Sequence, residues 1–215
     1  MYIVICVKNE EDKKVEVKLK KIESKFKRSN LRNISTLKDK TATEVQELCG
    51  ISRMMPISFD QLKKNYKIKI FGTDLSHMSS NFQEVKALMK KEGTILGMVK
   101  IKEEYANIYY NNNKEIDIPT QRFTIAHELA HCVYDSESLA LQEEVDYVSV
   151  KENGMNSDFK EEKCDKFARD FLIPSDMLIK VCNIIPDVDL TVLSELFLVP
   201  ESQMKIKLEE MNIKI

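Results

Sequence analysis

Tryptophan is absent from the 215 residues, and glycine and proline are scarce at five each. So little turn chemistry argues against a sandwich of many short strands and in favour of helices. The five cysteines, at positions 6, 49, 132, 164 and 182, are odd in number and scattered, which is no paired disulfide framework. No run approaches the roughly 18 apolar residues of a membrane span. The short apolar stretch at 2–7 has no basic leader before it, so a secretory signal is not expected. Charge of one sign is lacking too: 33 basic residues face 35 acidic ones, and the net charge of −2 gives no global attraction to nucleic acid or an anionic membrane. These absences point to a soluble protein of a reducing compartment, the cytoplasm. What is plentiful is hydrophobic (43%) and charged (32%) residues, a mixture that belongs to globular chains rather than disordered ones.

Along the chain, residues 2–7 read as a short buried strand and 14–20 alternate with period two. The basic stretch that follows carries interspersed acids and reads as a solvated face. Thr41 and Glu44 can close a capping box for a short helix ending near Gly50. Ser58 and Gln61 predict a second capping box, followed by a strand at 66–71. A helix is expected at 81–92, stopped by Gly93, then two strands at 94–101 and 105–110 joined by a charged turn. Pro119 opens a helix over 120–134. After a long polar loop, a second strong helix covers 158–173 and stops at Pro174. Two more helices, 190–198 and 201–211, are split by Val199-Pro200. Strands first and helices after predict an α+β fold, with helices packed on a small antiparallel sheet.

Chemistry is concentrated in His127-Glu-Leu-Ala-His131, an H-E-x-x-H pattern holding two of the three histidines. On a helix, positions four apart lie one turn apart on the same face, so both imidazoles can bind one Zn²⁺. Glu128 is rotated aside from that pair, where it can act on a water molecule as general base. The rest of this helix is apolar, at Phe123, Ala126, Leu129, Ala130 and Val133, so it should be buried. Buried imidazoles and a carboxylate need partners, and a metal supplies them.

A catalytic zinc needs a third protein ligand. His77 lies in an apparent loop. The helix at 158–173 offers a better source, because Cys164, Phe167, Ala168, Phe171 and Leu172 mark its inward face. Stepping back three from Cys164 reaches Glu161, while Glu162 turns aside with Lys166 and Arg169 toward solvent. Asp165, one turn after Glu161, can hydrogen-bond the free ring nitrogen of a liganding histidine. Two alternatives stand beside this assignment. Asp158 and Glu161 also form a capping-box pattern, and Cys164 or Cys132 could supply a thiolate.

These residues resemble the ImmA/IrrE family of bacterial zinc metallopeptidases, a gluzincin-like group. Residues 122–131, R-F-T-I-A-H-E-L-A-H, are similar to the family's R-F-T-x-A-H-E-x-x-H. Residues 161–174, E-E-K-C-D-K-F-A-R-D-F-L-I-P, are similar to its E-x-x-A/C-N-x-F-A-x-x-L-L-x-P. The likeness runs from about 56 to 177. It implies a zincin-like helical core in which His127, His131 and Glu161 hold Zn²⁺, Glu128 is the catalytic acid and base, and Asp165 supports a ligand. Ala130 stands where the family often has Gly, and Asp165 where it often has Asn.

The resemblance further implies a cytosolic endopeptidase that cuts a helix-turn-helix repressor and so derepresses a mobile element or stress operon. Residues 1–55 then form an N-terminal extension, 56–185 the peptidase domain, and 186–215 a helical tail with the look of a helix-turn-helix. That tail lacks a basic recognition helix, since Lys205 and Lys207 are balanced by Glu201, Glu209 and Glu210, so packing on the core is expected of it rather than DNA reading. The rival to an enzyme is a zinc-stabilised module that sequesters a repressor without cleaving it. Tyr105, Tyr109, Tyr110, Tyr134 and Arg122 are all candidates for a second oxyanion donor.

Overall fold

The computed structural model describes residues 30–75, 95–102, 104–134, 147–152 and 159–215. The strands expected at 2–7 and 14–20, the helix expected at 81–92, His77 and Asp158 lie outside those residues. The fold is α+β, with seven α-helices and four strands among the described residues.

After a short 3-10 turn at Ile34–Leu37, helix α1 (Ala42–Cys49) forms with the capping box its sequence carries. Thr41 N–H donates to Glu44 Oε2 at 2.7 Å, and Glu44 N–H returns to Thr41 Oγ1 at 3.3 Å. Gly50, at φ 68°, ends the helix in the left-handed region that glycine enters without a steric penalty. The second predicted box does not form. Helix α2 (Asp60–Asn65) starts after Phe59, and Ser58 Oγ instead accepts the N–H of Asp60 at 3.2 Å. A serine hydroxyl closes a local turn two residues on as readily as it reaches the third, and here the shorter turn wins.

The sheet has strands β1 (Ile68–Thr73), β2 (Ile95–Ile101), β3 (Ala106–Asn111) and β4 (Tyr147–Glu152), in the spatial order β1-β3-β2-β4. It is mixed, which corrects the antiparallel expectation: β2 pairs antiparallel with β3 and β4, but β1 pairs parallel with β3. A tight turn forces antiparallel pairing only on the strands it joins, here β2 and β3. No such turn joins β1 to β3, so packing sets their direction. β4 falls inside the stretch expected to be a polar loop. Its Tyr147-Val-Ser-Val150 alternation was the available signal.

Apolar rows cross the sheet in register. Val99 stands opposite Ile108, which stands opposite Ile70; Ile101, Ala106 and Ile68 form the next row. Helix α3 (Ile118–Tyr134) lies against β2 and β3 on one side and helix α4 (Phe159–Leu172) on the other. Pro174 then ends α4 and begins helix α5 (Ser175–Ile184), its carbonyl accepting from Met177 and Leu178 at 3.0 Å. Helix α5 is absent from the sequence reading, which took Pro174 only as a stop. A proline that cannot continue one helix is equally suited to the entry of the next.

Helices α6 (Leu190–Phe197) and α7 (Glu201–Glu210) complete the chain, α6 capped by Asp189 Oδ1 accepting from Val192 N–H at 2.8 Å. Helix α7 is fastened to α4. Arg169 donates to Glu210 Oε1 at 2.9 Å and to Gln203 Oε1 at 3.2 Å, and the buried Lys207 ammonium pairs with Asp170. Arg169 is therefore buried, not on the solvent side as its helical phase suggests, because α7 covers it. Burial pushes the Asp170 carboxyl up, but the hydrogen bonds and charges of Lys207 and Lys166 outweigh this and hold it below its ordinary range. One hydrophobic core runs from Ile34 and Leu37 through α3 and α4 to Met204 and Leu208. No helix among the described residues is long and apolar enough to cross a membrane.

Candidate metal centre

Helix α3 supplies the frame. Asp117 Oδ1 accepts from Thr120 N–H at 2.7 Å at its start, and Asp39 N–H donates to the Val133 carbonyl at 3.1 Å near its end. Every residue from Phe123 to Val133 is buried, because the sheet, α4 and the 3-10 turn all pack against this helix. His127, Glu128 and His131 thus sit at 0% exposure.

The two imidazoles converge. His127 Nε2 and His131 Nε2 are 3.2 Å apart, with their ring planes at 69°. Glu161, from the first turn of α4, places Oε2 3.0 Å from His127 Nε2 and Oε1 3.5 Å from His131 Nε2. Ligand atoms of these three residues all lie within 4.8 Å of one another, a group that could hold a metal ion. The spacing can be tested against chemistry. Donors bonded at about 2.0–2.1 Å to a tetrahedral ion stand about 3.3–3.4 Å apart, and the contacts here span 3.0–3.5 Å. Two nitrogens and a carboxylate suit zinc or another first-row transition ion better than calcium or magnesium, which take all-oxygen sites. The histidine side chains are sealed, whereas that of Glu161 is 32% exposed, so the group opens on the α4 side.

Each ring is also held from behind. His127 Nδ1 lies 2.7 Å from Asp165 Oδ1, and His131 Nδ1 lies 3.7 Å from Cys164 Sγ. Both cysteines weighed as thiolate ligands are turned away from the point where the Nε2 atoms meet. Cys164 approaches His131 at the opposite ring nitrogen, and the Cys132 thiol donates to the Glu128 carbonyl at 3.4 Å. Glu162 is exposed, as its helical phase requires.

Gly97 of β2, which the sequence marks only as the start of a strand pair, also contributes to the site. A Cβ built there would stand 2.3 Å from Thr124 Cγ2 and 3.0 Å from Glu128 Oε1. The bare glycine lets the strand close on α3 beside the Glu128 carboxylate. A glycine inside a strand pattern is a recognised sign of such close approach, but it does not say what approaches.

The five candidate oxyanion donors fare differently. Arg122 is engaged elsewhere, donating to the Ile57 carbonyl at 2.7 Å and the Leu198 carbonyl at 3.2 Å, with its guanidinium over the Phe59 ring. It ties the segment before α2 to the turn after α6. Tyr109 stacks on Phe71, Tyr110 leans over Gly72, and Tyr134 packs edge-on against Phe167 under the Lys163 ammonium. Tyr105 is buried. A cleft of about 340 Å³, lined by Ile57, Phe59, Ile70, Tyr110, Arg122 and Ile125 among others, lies beside the first half of α3, and none of the three metal-group residues borders it.

A family model described as the IrrE N-terminal-like domain, Peptidase_M78, matches residues 65–209, a span that takes in the H-E-x-x-H helix, the Glu161 helix and α7. Among curated proteins, none matches the chain. Because the match extends over well more than half of the sequence and includes the buried His127, His131 and Glu161 group, the chain belongs to the IrrE N-terminal-like family of metallopeptidases.

Proposed function

We propose that this protein is a cytoplasmic zinc-dependent endopeptidase with a zincin-like centre, and that its substrate is a helix-turn-helix repressor whose cleavage switches on a mobile element or stress operon. The observation that carries the reading is the convergence of three donors, at tetrahedral spacing, beside a fully buried glutamate. His127, His131 and Glu161 hold the ion in this reading, and Asp165 fixes the His127 ring by accepting its Nδ1 hydrogen. Zinc, when bound, supplies a Lewis acid that acidifies water and polarises a carbonyl. Glu128 takes the proton of the attacking water and later hands it to the leaving amine. Its burial favours this role, because the carboxylate is screened from bulk water on the same helix as the two histidines.

The repressor as substrate rests on the family resemblance. Residues 56–185 carry the chemistry in this reading, 186–215 brace α4 from behind, and the extension 1–55 lends Ile34, Leu37 and Val45 to the shared core. DNA reading by the tail is disfavoured, since Lys207 is spent on Asp170 inside the molecule.

Glu128→Gln separates an enzyme from a module that only sequesters its partner. The variant keeps size and hydrogen bonding but cannot accept the water's proton, so cleavage should fall by roughly 10²–10⁴ while zinc content, fold and repressor binding persist. Wild type and variant are incubated with the candidate repressor, and fragments are scored on a gel. Equal behaviour, whether both cut or both bind without cutting, removes Glu128 as the base and with it the mechanism.

A further inference from the structure

Helix α4 brings three neighbouring side chains to the histidine pair, and only two of them have been given work. Glu161 faces the Nε2 atoms of both rings, and Asp165 holds His127 from behind. The third is Cys164, fully buried, with Sγ 3.7 Å from His131 Nδ1. We propose that Cys164 is the positioning residue of His131, the counterpart of Asp165 on His127. The inference rests on reading His127, His131 and Glu161 as the metal ligands.

The chemistry follows from the tautomer. A neutral imidazole that offers Nε2 to a metal must carry its hydrogen on Nδ1, and that hydrogen points at whatever lies behind the ring. For His131 this is a sulfur, at a separation within the range of sulfur hydrogen bonds and longer than an oxygen acceptor would give because sulfur is larger. Donation from Nδ1 to Sγ leaves Nε2 bare and fixes the plane of the ring. Sulfur is a weaker acceptor than a carboxylate. The two rings are thus held unequally, His127 by a carboxyl oxygen at 2.7 Å and His131 by a sulfur at 3.7 Å. Position along the helix makes the arrangement economical: Cys164 is three residues after Glu161 and adjacent to Asp165, so one turn of α4 supplies a ligand and a support for each ring.

The test compares zinc affinity, by chelator competition, for the wild type, Cys164→Ser, Cys164→Ala and Cys164→Val. Valine fills the volume without an acceptor, whereas serine restores an acceptor in a smaller side chain. Loss of an outer partner of a liganding histidine typically weakens metal binding 10–100-fold, and Cys164→Ala and Cys164→Val should both fall in that range. Cys164→Ser should stay within about threefold of wild type, since its hydroxyl accepts the same hydrogen. A purely packing role predicts the reverse order, with valine benign and serine harmful, and that order overturns the proposal. If valine does not fold, the alanine and serine pair decides it alone. Cobalt substitution adds a second readout: a thiolate-to-cobalt charge-transfer band that vanishes in Cys164→Ser would make Cys164 a ligand and also overturn it. A wild type that takes up no metal sinks the centre itself. A wild type that binds zinc with all three variants unchanged sinks only the role of Cys164.

Discussion

Glu161 is the residue on which the metal reading turns, because its sequence fits two roles. As a helix cap it would bond a backbone N–H, and as a ligand it would face the histidines. Its carboxylate reaches both Nε2 atoms, at 3.0 and 3.5 Å. Glutamine can still serve in a capping box but is a poor zinc ligand. Glu161→Gln should therefore lose zinc by more than the 10–100-fold typical of an outer-shell change, with the melting curve of the metal-free form unaltered. Glu162→Gln, on the exposed side of the same turn, should bind zinc as wild type does. Elemental analysis after dialysis reads both. Zinc retained in Glu161→Gln, or lost in Glu162→Gln, would move the third ligand elsewhere.

Two contacts between elements make further claims. The first is the approach of β2 to α3 at Gly97. A methyl group there meets the short, buried Thr124 side chain at Cγ2, 2.3 Å away, so something must shift. Overpacking of this kind costs about 1–3 kcal/mol, more than the fraction of a kilocalorie that removing a strand glycine recovers. Gly97→Ala should melt lower and cleave more slowly while keeping its zinc, since it displaces Glu128 rather than the histidines. At Gly72 the obstacles are the far ends of longer side chains, Tyr110 Oη and Cζ at 2.8 and 2.9 Å and Asn112 Nδ2 at 3.1 Å, and Gly72→Ala should be milder.

The second contact is the docking of α7 on α4 through Asp170. The carboxyl's folded pKa is lowered, so its pairing with Lys207 and Lys166 contributes stability that is present above the unfolded value near 3.9 and lost as pH falls through the lower folded value. Asp170→Asn removes that dependence. Its stability should change less than that of wild type as pH is taken below about 4, while lying lower near pH 7. Denaturant titrations at several pH values measure it, and parallel curves for the two proteins would show that the pair contributes nothing.

For the molecule as a whole, the metal group lies between the sheet-bound α3 and the tail-bound α4, at the edge of the hydrophobic core of the described residues. An ion held there would join α3 to α4 and stabilise the fold by mass action. At zinc 100-fold above Kd the gain is about 2.7 kcal/mol, and in a domain of this size each kilocalorie shifts Tm by roughly 2–4 °C. Chelation should lower the melting temperature of the wild type by about 5–10 °C. In His127→Ala or His131→Ala, Tm should not respond to zinc. Calorimetry with and without chelator checks this, and an equal response in all three proteins would place any stabilising zinc outside the centre.

Residue order alone settles what depends on short range. Helical phase placed His127 and His131 on one face of α3, chose Glu161 over Glu162, and put Cys164 and Asp165 within reach of the same rings. Side chains three or four apart on a helix have no freedom to do otherwise. Capping by Thr41 and Glu44, the stop at Pro174, and strands β1 to β3 were legible for the same reason. What crosses between elements was not. The parallel pairing of β1 with β3, the strand hidden in the polar stretch at 147–152, and helix α5 after Pro174 depend on which surfaces were available to cover them. Arg169 looked solvent-facing until α7 covered it, Arg122 was one of five open candidates for an oxyanion donor until two distant carbonyls claimed it, and the closeness of Gly97 to Glu128 showed only once α3 came within a methyl's width. Local geometry is written in residue spacing, but burial and close approach are properties of pairs of segments far apart in the chain, and only the packed tertiary structure settles which segments meet.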